Sequence, residues 1–217
     1  MAHGYIRRKM RKIKISFRRM KLHQKVASFS ALAVLLLLLV GMINSQPSIP
    51  MTAYSPLLDV IATAESKGNY NAYFSNAANK EINFTAMPIR DVIAWQEAFV
   101  KNGNPSSAVG KYQIIQPTLE GLVTELNISP DTHFDAATQD KLAVALIERR
   151  GSVAFIEDKL TAAEFAHNLS KEWAALPRII GNAPESSYYA GDGLNASLVD
   201  SKTSLNAVEQ FKLRGQK

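Results

Sequence analysis

Glu65 closes the stretch Ser55-Pro56-Leu57-Leu58-Asp59-Val60-Ile61-Ala62-Thr63-Ala64-Glu65-Ser66, where the pattern puts a carboxyl on an inward-facing helical stripe. Ser55 suits an N-cap, Pro56 suits the first helical position, and Asp59 adds negative charge near the start. Leu58, Ile61, Ala62 and Glu65 fall at the i, i+3, i+4, i+7 positions of one face. An acid on such a stripe loses hydration, which raises its pKa and favours a protonated carboxyl able to donate a proton. The alternative is a last-turn Glu that swings into solvent or caps a neighbouring helix.

A second string, Ser106-Ser107-Ala108-Val109-Gly110-Lys111-Tyr112-Gln113-Ile114-Ile115, can form one wall of a site. Small residues and Gly110 allow close backbone approach, while Tyr112 and Gln113 offer an aromatic face and an amide. Alone, a glycine turn before an apolar helix start is ordinary; an acid at the end of an upstream helix makes the pair informative. The four histidines (His3, His23, His133, His167) are scattered, two of them near the N-terminus, so no metal-ligand set and no cofactor is read from the chain. With no cysteine, disulfides, thiolate metal sites and cysteine nucleophiles are excluded.

The elements that must position these residues read as mostly helical. Lys67 to Phe74, rich in Asn, Gly and aromatics, suggests an irregular or small-hairpin lobe. Helical spacing recurs over Ile89 to Asn102, stopping at Gly103, and over Pro117 to Leu126. Asp135 can cap a helix ending at Gly151. Thr161-Ala162-Ala163-Glu164 is a capping-box sequence for a helix expected to bear Phe165, Leu169 and Trp173 and to close at Pro177. In that helix Trp173 is read as a core residue. Leu205 to Leu213 reads as a last short helix, and the alternative is a loosely held tail beyond Gly191.

Charge divides the chain sharply. Residues 1–45 hold ten Lys or Arg and no acid, whereas the rest holds 15 basic and 19 acidic groups, a net of −4. The overall +6 therefore describes a tail, and a nucleic-acid-binding reading is excluded. Val26 to Ile43 is an uncharged, Leu-rich run, near the short end of what spans a bilayer core. The cationic flank before it predicts a cytoplasmic N-terminus and an exported domain in the inner membrane, with no small-x-small site for signal cleavage after it. The expected organisation is a basic cytoplasmic tail (1–25), a transmembrane anchor (26–43), a linker (44–53), a main domain (54–190) and a C-terminal extension or last helix (191–217).

Ile61-Ala62-Thr63-Ala64-Glu65-Ser66, Ser107-Ala108-Val109-Gly110-Lys111-Tyr112-Gln113 and Leu169-Ser170-Lys171-Glu172-Trp173-Ala174-Ala175-Leu176-Pro177 occur in an order that resembles the lysozyme-like superfamily. The likeness is nearest to the phage muramidases of the lambda-endolysin type, which are lytic transglycosylases, and covers most of residues 54–190. It implies a mainly α, α+β lysozyme-like fold, with a compact helical domain and a small irregular or β lobe flanking a saccharide cleft. It also implies Glu65 as the catalytic acid/base, and Ser66, Tyr112, Gln113 and Tyr189 as substrate-binding residues.

The partner implied is the peptidoglycan glycan strand, cut between N-acetylmuramic acid and N-acetylglucosamine. Phage, conjugation or secretion apparatus proteins are further candidate partners. Two-carboxylate glycosidases need a second acid across the bond, and Asp91, Glu97 and Glu81 lack a diagnostic spacing. A single acid suffices if the muramic acid C6 hydroxyl closes a 1,6-anhydro ring. The alternatives are a hydrolytic muramidase with an unidentified second acid, and a non-catalytic wall-binding component.

Overall fold

The computed structural model describes residues 49–216; the expected basic tail, the expected anchor and the start of the linker lie outside the described residues. Among the described residues no helix is long and apolar enough to cross a membrane. Residues 51–53, expected as the end of the linker, are already part of the folded unit. Met51–Tyr54 form a 3-10 turn in which Ala53 and Tyr54 are fully buried.

That turn runs straight into α1 (Ser55–Ser66) and displaces the expected cap. Tyr54 occupies the cap position in helical geometry, while the Ser55 hydroxyl donates to the Thr52 carbonyl at 3.1 Å. α1 ends at Lys67 in the left-handed conformation (φ 55°), and the Gly68 N–H turns back to the Ala62 carbonyl. This sharp stop leaves Glu65 in the last turn, where the chain leaves the helix.

Five more helices lie between α1 and the C-terminal one: α2 (Ile89–Lys101), α3 (Gln116–Glu125), α4 (Ala136–Arg149), α5 (Ser152–Ile156) and α6 (Ala162–Leu169). Their starts follow local chemistry. Pro117 sits in the first turn of α3, and the Asp135 carboxylate accepts the Thr138 N–H at 2.8 Å at the start of α4. The Thr161/Glu164 capping box of α6 is complete in both directions. The short α5 has no counterpart in the sequence reading.

α6 ends at Leu169, eight residues short of Pro177, so Trp173 is not on that helix. The chain tightens there: the Ser170 hydroxyl donates to the His167 carbonyl, and the Lys171 and Glu172 N–H groups reach back only three residues. The tightening turns the Trp173 ring inward, 3% exposed, with its Nε1–H donating to the Tyr112 carbonyl at 3.1 Å.

The last helix, α7 (Ser201–Gly215), is longer than the short helix expected and is firmly held. It lies along α1 and also contacts α6, α5 and the 51–54 turn. Phe211, fully buried, meets Tyr54 with ring centroids 5.0 Å apart and Phe165 at 5.8 Å. The first and last described helices thus share one apolar core, and each buried aromatic there contributes on the order of 2–3 kcal/mol.

Between α1 and α2 lies the small lobe, whose described residues hold isolated β-bridges, such as Tyr73 with Asn76 and with Val109. Its order comes from asparagines. The buried Asn79 side chain donates to the Asn71 and Ile82 carbonyls and accepts the Glu81 and Ile82 N–H groups. An aromatic cluster of Tyr73, Phe84, Trp95 and Phe99 joins the lobe to α2; Trp95 stacks on Phe99 at 4.6 Å.

Candidate active site

A cleft of about 660 Å³ opens where α1 ends. Glu65 lies at it, half-buried, with Tyr112, Gln113, Trp173, Ala175 and Tyr189 among the other lining residues. The carboxyl accepts the Ala175 N–H at 3.3 Å. Burial pushes its pKa from 4.5 up to about 7, and the Ala175 hydrogen bond holds it back from rising further. Near neutral pH such a carboxyl can both give and recover a proton, as a general acid–base group must.

The 106–115 string forms one wall. Gly110 has φ +78°, and a Cβ there would lie 2.3 Å from the Gln139 Oε1 and 2.9 Å from the Phe134 ring. Glycine is therefore required twice over, by backbone conformation and by space. The buried Gln139 amide ties the turn down: its Oε1 accepts the Lys111 N–H, and its Nε2 donates to the Tyr70 and Phe134 carbonyls. Gln113 is itself left-handed (φ 49°), and its amide donates to the Gly110 carbonyl at 2.9 Å while facing the cleft.

Tyr112 differs from the expectation of an open aromatic face. It is 1% exposed, and its hydroxyl donates to Asp140 at 2.6 Å, so it supports the cleft floor from behind. Burial and the Asp140 carboxylate raise its pKa well above the ordinary tyrosine value. Tyr70 donates to the same carboxylate at 2.9 Å, and Lys111 Nζ lies 4.6 Å from the centre of the Tyr70 ring.

The expected substrate-binding role of Ser66 is not supported by its position. Ser66 is fully buried, and its hydroxyl donates to the Lys111 carbonyl at 2.7 Å. It cannot meet a ligand; it pins the end of α1 to the glycine turn. Tyr189 does reach the cleft, half-exposed, with its hydroxyl donating to the Lys171 carbonyl at 2.8 Å.

Asp91, Glu97 and Glu81 are all exposed and none lines the cleft. The second carboxylate of the cleft is Glu172, paired with Arg150 through Nε at 2.8 Å and Nη2 at 2.6 Å. Glu172 thus has a guanidinium partner in the cleft, whereas the Glu65 carboxyl accepts a backbone N–H. Glu172 sits in the quoted Trp-containing motif, but nothing in its spacing marks it as a cleft residue. Ala175 contributes through its backbone, which a side-chain pattern does not reveal.

A mainly helical unit with a protonatable carboxyl at a cleft beside a glycine turn is the arrangement the superfamily resemblance implies. The endolysin family model matches residues 55–191, well over half of the chain, and the protein belongs to that family. Among solved structures, bacteriophage lambda lysozyme in complex with a chitohexasaccharide is 19% identical, with 78% of this chain and 97% of that chain covered and a TM-score of 0.44. No curated protein matches the chain.

Proposed function

We propose that this endolysin cleaves the β-1,4 bond between N-acetylmuramic acid and N-acetylglucosamine in peptidoglycan as a lytic transglycosylase, with Glu65 as acid and then base. The observation that carries the reading is a cleft in which burial at the end of α1 raises the Glu65 pKa to about 7, while the other carboxylate, Glu172, is paired with Arg150. Glu65 protonates the glycosidic oxygen as the bond to the muramic acid anomeric carbon breaks. The neighbouring acetamido carbonyl stabilises the oxocarbenium-like centre. The C6 hydroxyl then attacks that carbon and gives its proton to Glu65, which restores the acid and leaves a 1,6-anhydro ring. Water takes no part, so no second base is needed.

Gln113 and Tyr189 line the path of the glycan, and Tyr112 holds its floor. A hydrolytic muramidase is the second reading, favoured by the presence of Glu172 in the same cleft. Digesting purified sacculi with the full chain and weighing the muropeptides separates the two. We expect 1,6-anhydromuramoyl products; reducing-end muropeptides as the main product would make the enzyme a hydrolase and Glu172 its candidate base.

A further inference from the structure

Ala175 is held from two directions. Its N–H donates to Glu65, while its carbonyl accepts the Leu198 N–H at 2.9 Å and the Val199 N–H at 3.2 Å. Ala175 is 4% exposed and follows Trp173, whose ring is fixed to the Tyr112 carbonyl. The segment that grips it leads directly into α7, which lies along the helix carrying Glu65. The Asp200 carboxylate caps α7 by accepting the Thr203 N–H at 2.7 Å, which fixes the chain just after Val199. Leu194, Asn195, Ala196 and Leu198 line the cleft, although the family match ends at residue 191.

We infer that the segment Leu198–Val199 is a positioning element for Glu65: its backbone N–H groups clamp the Ala175 carbonyl, and the N–H of that same residue fixes the proton-carrying carboxyl. The inference rests on Glu65 being the acid. Both interactions meet at one residue: the Ala175 N–H and carbonyl belong to successive peptide units that share its Cα, so displacing the carbonyl carries the N–H with it through that residue's backbone. The other charged or titratable side chains at the cleft are Glu172, Arg150, Lys171, Tyr112 and Tyr189. Of the groups around Glu65, the Ala175 N–H is the one that favours the ionised carboxyl, against the opposing effect of burial. Loosening the clamp therefore raises the pH at which Glu65 loses its proton.

The test uses the full chain in detergent, with the rate on sacculi measured against pH. Leu198→Pro deletes the stronger of the two N–H donors at a residue that is 69% exposed, so little packing is lost. Leu198→Ala keeps the donor and removes the side chain. We expect the falling alkaline limb of kcat/KM to move upward by about half to one pH unit in Leu198→Pro and to stay in place in Leu198→Ala. Should the proline variant not fold, a backbone ester at position 198 removes the same donor. An unmoved limb in the folded proline or ester protein overturns the clamp, as does an equal shift in Leu198→Ala. A native enzyme without a limb near pH 7, or an active Glu65→Gln protein, would instead remove the assignment of Glu65, and the clamp with it.

Discussion

Glu65 keeps its proton near neutrality because α1 stops one residue after it, at Ser66, and the Trp173–Ala175 turn closes over the carboxyl. Glu65→Gln preserves shape and deletes proton transfer, so wall-degrading activity should fall by roughly a hundredfold or more. Circular dichroism of the variant should be unchanged, and near-normal turnover in a folded Glu65→Gln protein would end the single-acid mechanism. The same carboxyl affects stability. Its folded pKa is raised from 4.5 to about 7, so the folded state binds this proton more tightly than the unfolded chain does. Stability from this group is fully present below the unfolded value and is lost as pH rises through the folded one. At pH 8 the ionised carboxyl costs the native protein up to about 3 kcal/mol, a cost the amide does not share. Glu65→Gln should therefore melt above the native protein at pH 8, with the gap narrowing towards pH 4. A gap that does not change across that range would show that the carboxyl is not buried as described.

At the level of elements, the glycine turn at 110 is the sharpest constraint. Gly110→Ala must place a Cβ against Gln139 and Phe134 in a left-handed conformation, and the Gln139 amide that would have to move is itself triply bonded. Strain and overpacking together should cost about 2–4 kcal/mol. Gly103→Ala shares the positive φ (+92°) but meets open space, and should cost about 1 kcal/mol. Urea unfolding of the two variants side by side checks the difference, and equal losses would mean that the contact with Gln139 is easily relieved. The helices were legible where local chemistry decides them: the stripe of α1, the Asp135 cap and the Thr161/Glu164 box are all short-range signals. The early end of α6 was not, because Trp173 leaves the helix for a partner 61 residues away, the Tyr112 carbonyl. Ser66 reads as a polar neighbour of the acid, and only the fold reveals that its hydroxyl is used up on Lys111. The asparagine lobe was visible as irregular, but its side-chain bonds to carbonyls within the same loop carry no periodicity to read.

For the whole molecule, the chain joins a domain that belongs at the cell wall to an N-terminal sequence of very different character. The domain begins its burial at Ala53 and closes it with Phe211 on α7, so residues 49–216 supply their own apolar core. The ten cationic residues before position 26 and the uncharged Leu-rich run from Val26 to Ile43 are argued from sequence alone. Positive charge before an apolar run holds the N-terminus in the cytoplasm, and the domain after it carries a net negative charge that offers no opposing signal. We propose that the full chain sits in the inner membrane with residues 54–217 outside the cytoplasm, where the tether confines cleavage to nearby wall. Fractionating expressing cells and measuring the mass of the domain-bearing species tests this. Intact mass in the membrane pellet supports the tether. Intact mass in the periplasm would mean that the short run leaves the bilayer and releases the enzyme. A shortened soluble species would show that the run is a cleaved signal, and that the catalytic domain works free of the membrane.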